Sequence, residues 1–348
     1  AYRWTEEGRT VFLGDGMEGA TGIDVSMLKG KKLLNMDSEE EGVMLASCAG
    51  GCRADVKLPV ERETVSGTKL TVSLSGLTGG HSGSEIDKGR GNANTLMSRL
   101  LRDASAPVAI ASIEGGRKDN AIPRECTAQI IVAPDEAAAV KAAIEQAAAE
   151  IAEEFKASDP DLKLTVSEET DCSESAISAK DSARVIALIE ALPNGIIRMS
   201  REIDKLVETS LNLGVLKSDD AAVTLRYAVR SSVGVAKKSL KNQLVCIAGA
   251  FAAEVTFEGD YPAWEYVEDS KLRTLMGDTY REMYKKEPVM EVIHAGVECG
   301  LFSEKMPGLD CVSYGPDIFD IHTPQERLSI SSTKRIYEYT VEVLKRLK

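Results

Sequence analysis

The pentapeptide KLTVS occurs twice, at residues 69–73 and 163–167, and each copy opens a similar run of hydrophobic patterning. In the first, Leu70, Val72 and Leu74 alternate with polar residues, the period-two signature of a half-buried strand. Apolar residues then recur at helical spacing around Leu96, Met97, Leu100 and Leu101. Residues 108–113 and 127–132 read as strands. Val140, Ile144, Ala147, Ile151 and Phe155 form one stripe of an alanine-rich helix, with Asp135 placed to cap it. After the second KLTVS come a helix over 182–192, a Pro-Asn-Gly turn, strands over 207–216 and 222–231, and a helix over 238–252. The order is β-α-β-β-α, twice. It predicts duplicated split βαβ units, helices on an antiparallel sheet.

The flanks have another character. Residues 31–36 form a short strand ending in LLNMDSEEEG. Beyond residue 258, EGDYPAWEY is a linker with an aromatic anchor. A helix over 270–286 carries Leu272, Leu275, Met276 and Tyr280 on one side. Strands at 290–294 and 311–314 follow, and Ser332 is placed to cap a last helix with Tyr337, Val341 and Leu344 facing inward. The expected architecture is an α/β domain made of 1–48 and 256–348, interrupted by an inserted α+β domain over 49–255. Both ends of the interrupted sheet meet, so the insert can close over it like a lid.

Two stretches of the flanks suggest chemistry. Open α/β sheets hold ligands at the carboxyl ends of their strands. Asp37 sits where a strand gives way to a loop, with Glu39, Glu40 and Glu41 beside it. His322 follows Ile318, Phe319 and Ile321, which read as another apolar strand. An acid and a neutral imidazole at two strand ends make half of a zinc site. Taken singly, each also fits a solvated acidic turn or a hydrogen-bonded core histidine. In the middle region, the glycines of GLTGGHSGSEIDKGRGNAN mark an irregular loop that exposes His81.

Composition narrows the partners. Lys and Arg number 42 against 55 Asp and Glu, a net charge of −13. Nucleic acid is excluded as an expected partner, because binding phosphates requires a basic face. The acidic excess suits a protein that concentrates cations. The 7 cysteines are odd in number and follow no CxxC spacing, which points to reduced thiols and a cytoplasmic location. No signal peptide and no membrane-spanning apolar run is expected.

The stretches NMDSEEEG, GGHSGSEIDKGRGNAN, NAIPRE, VETSLNLGV, HAGVECGLF and GPDIFDIHTPQERLSI resemble those of the Xaa-His dipeptidases, or aminoacyl-histidine dipeptidases, of the cocatalytic di-zinc peptidases. The resemblance runs from Met17 to the C-terminus. It implies a catalytic zinc domain interrupted by a lid domain that often mediates homodimers, and hydrolysis of dipeptides such as carnosine. By motif, Asp37 and His322 correspond to ligands of the two metals. His81 corresponds to the lid histidine that approaches the scissile carbonyl oxygen. Asn120 and Arg230 correspond to positions that hold a substrate carboxylate, with Arg226 on the same strand face as the alternative. His294 and Glu298 correspond to a strand end lining the cleft, where Glu298 is placed to meet the substrate's amino group. Two zinc ions per complete site would lower the pKa of a shared water.

The same resemblance implies motifs that precede MEGATG in the family and are not found here: an HxD strand end, a GAD-type bridging Asp and a DEE-type pair. Glu6 and Glu7 stand too early to replace the pair, and Asp15 in GDG is a candidate remnant of the bridging ligand. The expectation is a break between Gly16 and Met17, an incomplete catalytic domain and little or no turnover. Two other readings remain open: a non-catalytic binding or dimerisation module, and a related aminoacylase or carboxypeptidase.

Overall fold

Hydrophobic alternation in the middle of the chain becomes a broad sheet, as a computed structural model describing residues 2–6, 9–13, 18–201, 203–321 and 325–347 shows. The chain begins with β1 (Tyr2–Glu6), β2 (Arg9–Leu13), α1 (Glu18–Gly22), β3 (Lys32–Asn35) and β4 (Val43–Cys48). It continues with β5 (Gly50–Pro59), β6 (Arg62–Ser75), β7 (Gly80–His81), α2 (Ala93–Arg102), β8 (Ala109–Gly115), β9 (Ala121–Ile122), β10 (Cys126–Val132) and α3 (Ala137–Phe155). Then come β11 (Lys163–Ile177), α4 (Ala179–Ala191), β12 (Gly195–Met199), β13 (Val207–Ser218), β14 (Ala222–Ser231), α5 (Gly234–Ala250) and β15 (Glu254–Tyr261). The last elements are α6 (Lys271–Tyr284), β16 (Val289–Ile293), α7 (Cys299–Lys305), β17 (Asp310–Tyr314), β18 (Ile318–Phe319), β19 (Arg327–Leu328) and α8 (Ile330–Arg346).

These elements divide into two units. A flanking unit comprises Ala1–Gly50, Ser232–Gly234 and Tyr261–Lys348; an inserted unit comprises Gly51–Ser231 and Val235–Asp260. The insert expected over 49–255 thus differs by a few residues at either end.

In the inserted unit the described strands form a nine-stranded sheet in the order β11-β6-β10-β8-β13-β14-β5-β15, with β12 on β13. The alternating residues Leu70, Val72 and Leu74 of β6 point into one core, with Ala128, Ile130 and Val132 of β10. Helices α2 to α5 all bury their apolar stripes in that core. The expected β-α-β-β-α order appears as β6-α2-β8-β10-α3 and β11-α4-β13-β14-α5, with the short strands β7 and β9 added to the first and β12 to the second. In space, the two KLTVS strands are neighbours, paired antiparallel with Val166 opposite Val72. They are therefore partners and not equivalents. The sheet is symmetric in a different sense: outward from the central pair β8 and β13 lie β10 and β14, then β6 and β5, then β11 and β15. The place of β6 is taken in the other half by β5, which precedes both repeats. Asp135 does not cap α3, whose N-cap is Glu136, without a side-chain hydrogen bond.

The flanking unit holds a four-stranded sheet in the order β16-β4-β17-β3. β17 runs parallel to β3 and antiparallel to β4, and β16 runs parallel to β4. One face packs on α6 and α8 through Met44, Met276, Tyr280, Val312, Tyr314 and Tyr339. The other packs on Trp264 and Cys299 with Val43, Leu45 and Cys311. The expected anchor, Trp264, is buried, and its backbone exchanges hydrogen bonds of 3.0 and 3.1 Å with Cys48. Ser329, not Ser332, caps α8. The inward stripe of that helix is Ser332, Ile336, Tyr339 and Val343, while Tyr337 and Leu344 face solvent. All seven cysteines are free thiols. No described helix is long and apolar enough to cross a membrane.

Candidate functional site

In the flanking unit, β3 and β17 are parallel neighbours, so the segments following them leave the sheet at the same edge. Asp37 follows β3 and is exposed. The segment that leads to His322 follows β17. The two segments are stitched together. Ser38 Oγ lies 2.8 Å from Ser313 Oγ, and Asn35 Nδ2 donates to the same Ser313 oxygen at 3.1 Å. The Ile318 amide donates to the Glu39 carbonyl at 2.9 Å, and the Glu41 amide to Asp317 Oδ1 at 2.8 Å. Gly315 has no room for a side chain, because a Cβ there would stand 1.8 Å from the Ser38 carbonyl oxygen.

The apolar run before His322 is not a strand of the main sheet. Only Ile318 and Phe319 are extended, paired with Arg327 and Leu328 in a two-stranded hairpin, and Phe319 is exposed. His322 itself lies outside the described residues, as do Asp15, Glu7 and the expected break between Gly16 and Met17.

Glu298 precedes α7, and its carboxyl is held above the usual range, first by burial and then by the charge of Asp37. Two acids thus share one neighbourhood, the situation that a cation relieves. His294 is buried directly after β16. Because β16 runs opposite to β3, that strand end is directed to the other edge of the sheet from Asp37. Among the described residues, no group of three or more His, Cys, Asp or Glu side chains is arranged to hold a metal ion.

The inserted unit brings His81, Asn120 and Arg230 together. His81 lies on β7, paired with Ala121 of β9, and the Ser82 amide donates to the Asn120 carbonyl at 2.9 Å. The ring is half-buried. Its Nδ1 accepts from the amides of Gly83 at 3.2 Å and Ser84 at 3.1 Å. A nitrogen that accepts carries no proton, so the ring hydrogen belongs to Nε2. Burial pushes the His81 pKa down, the Arg230 charge adds to this, and Glu85 opposes it. The ring is therefore neutral near pH 7, with an N–H to give. Gly80 makes the approach feasible. Its φ of +139° suits glycine, and a Cβ would collide with Arg90 and Glu85. Glu85 in turn accepts from the His81 amide at 2.8 Å and pairs with Arg90 at 2.8 Å.

Arg230 is buried on β14. The alternative, Arg226, is engaged otherwise: its Nε and NH2 clasp both oxygens of Asp55 at 2.8 and 2.9 Å. Sequence reasoning did not single out Asn212. Its Nδ2 donates to the carbonyls of Asp119 and Ala121 at 3.0 and 2.9 Å, and its Oδ1 accepts from Asn92. The buried asparagine inside an apolar strand, VETSLNLGV, was the available signal, since such a group must find partners. A pocket of about 520 Å³ beside this cluster is lined by Leu77, Lys118, Ala121, Ile122 and Arg124. It shares β9 with the cluster but not the His81 ring.

A family model described as a peptidase dimerisation domain matches residues 72–159. The cytosol non-specific dipeptidase of Escherichia coli (strain K12) is 36% identical over 336 residues, covering 95% of this chain and 69% of that protein. Among solved structures, the aminoacylhistidine dipeptidase from Vibrio alginolyticus matches with a TM-score of 0.88 and 34% identity, over 96% of this chain and 69% of that one.

Proposed function

This chain belongs to the M20 peptidase family, and we propose that it serves the hydrolysis of dipeptides of the Xaa-His type by a zinc-activated water. The observation that carries the proposal is the state of His81, a neutral ring whose donor nitrogen is Nε2, beside Arg230 and Asn120. A scissile carbonyl oxygen gains negative charge when water adds, and His81 is the donor for it. Such a donor accelerates the step by about 10²–10³-fold. Arg230 and Asn120 hold the free carboxylate of the substrate, which limits the substrate to very short peptides. Glu298, within reach of the Asp37 charge, meets the substrate's amino end; His294, at the opposite end of the sheet from Asp37, takes no part in that contact.

The family's chemistry is di-zinc catalysis. A zinc ion takes at least three protein ligands. The described donors, Asp37 and Glu298, do not by themselves fit that requirement. We assign Asp37 and His322 as two of the ligands. The unit matched by the dimerisation model is the one we propose to join two copies, and the free thiols favour a cytoplasmic setting.

The test is incubation with zinc and β-alanyl-histidine. The proposal expects chelator-sensitive release of histidine, about two zinc per chain and a light-scattering mass of two chains. His81→Ala is expected to lower turnover by about 10²-fold or more with zinc content unchanged. Loss of zinc in that variant would mean that His81 is a ligand. No turnover together with near-zero zinc would overturn the proposal in favour of a binding or dimerisation module.

A further inference from the structure

We propose that Arg335 is a positioning residue, clamping the Asp37 loop to the segment that leads to His322. The inference takes the role of Asp37 from the function proposed above; the clamp itself stands on geometry alone. Arg335 lies in the second turn of α8. Its Nε and NH2 donate to the two carboxylate oxygens of Glu41 at 2.6 and 2.5 Å. This is a fork-to-fork pair, which fixes direction as well as distance. The Glu41 side chain is 13% exposed and that of Arg335 41%, so the pair is covered on its carboxylate side and open to water on its guanidinium side.

The pair belongs to a closed ring. From Glu41 the backbone amide donates to Asp317 Oδ1 at 2.8 Å. The Asp317 amide donates to Ser332 Oγ at 2.9 Å, and the Ser329 amide returns to the Asp317 carbonyl at 3.0 Å. Ser329 and Ser332 form the first turn of the helix that carries Arg335. The ring therefore ties three separate segments: the loop after β3, the segment after β17 and the start of α8. One further rung, Ile318 amide to Glu39 carbonyl, closes the two segments directly beside Asp37. Among the described residues no second cation is paired with Glu41, and Lys286 acts on it only as a weaker, more distant charge. Lysine cannot reproduce this fork, because an ammonium lacks the two parallel, coplanar N–H donors of a guanidinium.

The experiment compares the wild-type chain with Arg335→Gln and Arg335→Lys by amide hydrogen exchange, and then by titration with cobalt(II) as the probe for the metal. In Arg335→Gln the amides of Glu41 and Ile318 are expected to exchange about tenfold faster or more. Amides beyond residue 336 in α8, and those of the inserted unit, should stay as in wild type. Arg335→Lys should restore only part of the protection. Cobalt affinity is expected to fall by about 10–100-fold in Arg335→Gln, the usual effect of removing a group that orients a ligand. Unchanged exchange at Glu41 and Ile318 would overturn the clamp. So would a uniform acceleration through α8 and its sheet, which would mean that Arg335 merely stabilises the fold. If wild type takes up no cobalt, the assignment of Asp37 fails, and the exchange data still decide the clamp.

Discussion

The two units hold themselves together by different means. The inserted unit has a nine-stranded sheet, four helices on one face and one dominant core, with Leu70, Leu100 and Tyr227 fully buried. Its stability resides in buried area, spread over many residues. The flanking unit has a four-stranded main sheet, and both edges of that sheet present apolar side chains to water: Met36 is 57% exposed beside β3, and Val289 and Met290 on β16 are 51% and 41% exposed. Its strand-end loops are fixed by a few directional contacts: serine to serine, amide to carbonyl, arginine to glutamate. An area-based fold resists small local changes and yields to cavities. A stitched loop is sensitive to a single atom in the wrong place.

Three substitutions probe that contrast. The largest effect is expected from Leu100→Ala in the core of the inserted unit, about 2–5 kcal/mol in urea unfolding. A loss under 1 kcal/mol would mean that this core is not close-packed. Next is Gly315→Ala, whose new methyl meets the Ser38 carbonyl. We expect about 1–3 kcal/mol, the range for overpacking, with faster amide exchange confined to residues 36–42 and 315–321. Spread of that change to the inserted unit would undo the distinction between the two. Smallest is Met290→Gln on the exposed edge, within about ±0.5 kcal/mol by the same unfolding measurement. A larger loss would show that β16 is covered in solution.

Much of this was legible in the residues, and the misses have physical causes. Period-two alternation located β6, and helical spacing located α2, α3 and α6, because their buried faces repeat regularly. The last helix was placed in the wrong phase. Ser329 and Ser332 are both capping residues, and only tertiary contact with Asp317 decides which one opens the helix. KLTVS was read as a repeat marker because sequence order carries no information about which strands lie side by side. Ile318 to Ile321 looked like a buried strand, yet Phe319 is exposed in a hairpin. That Arg226 is engaged by Asp55 could not be read from the sequence, because Asp55 is far away along the chain and beside Arg226 only in space. At the candidate site, residue types were readable, but the tautomer of His81 depended on two backbone amides.

The outermost pair at one side of the large sheet, β5 and β15, are the first and last strands of the inserted unit, and they are adjacent. At their outer ends Gly50 touches Tyr261 so closely that a Cβ would meet its carbonyl oxygen at 2.7 Å. Entry and exit thus share one doorway no wider than a hairpin. A host protein can accept or shed such a cassette at a surface turn without parting its own strands, which makes the junction a natural place for grafting one lineage's module into another's scaffold.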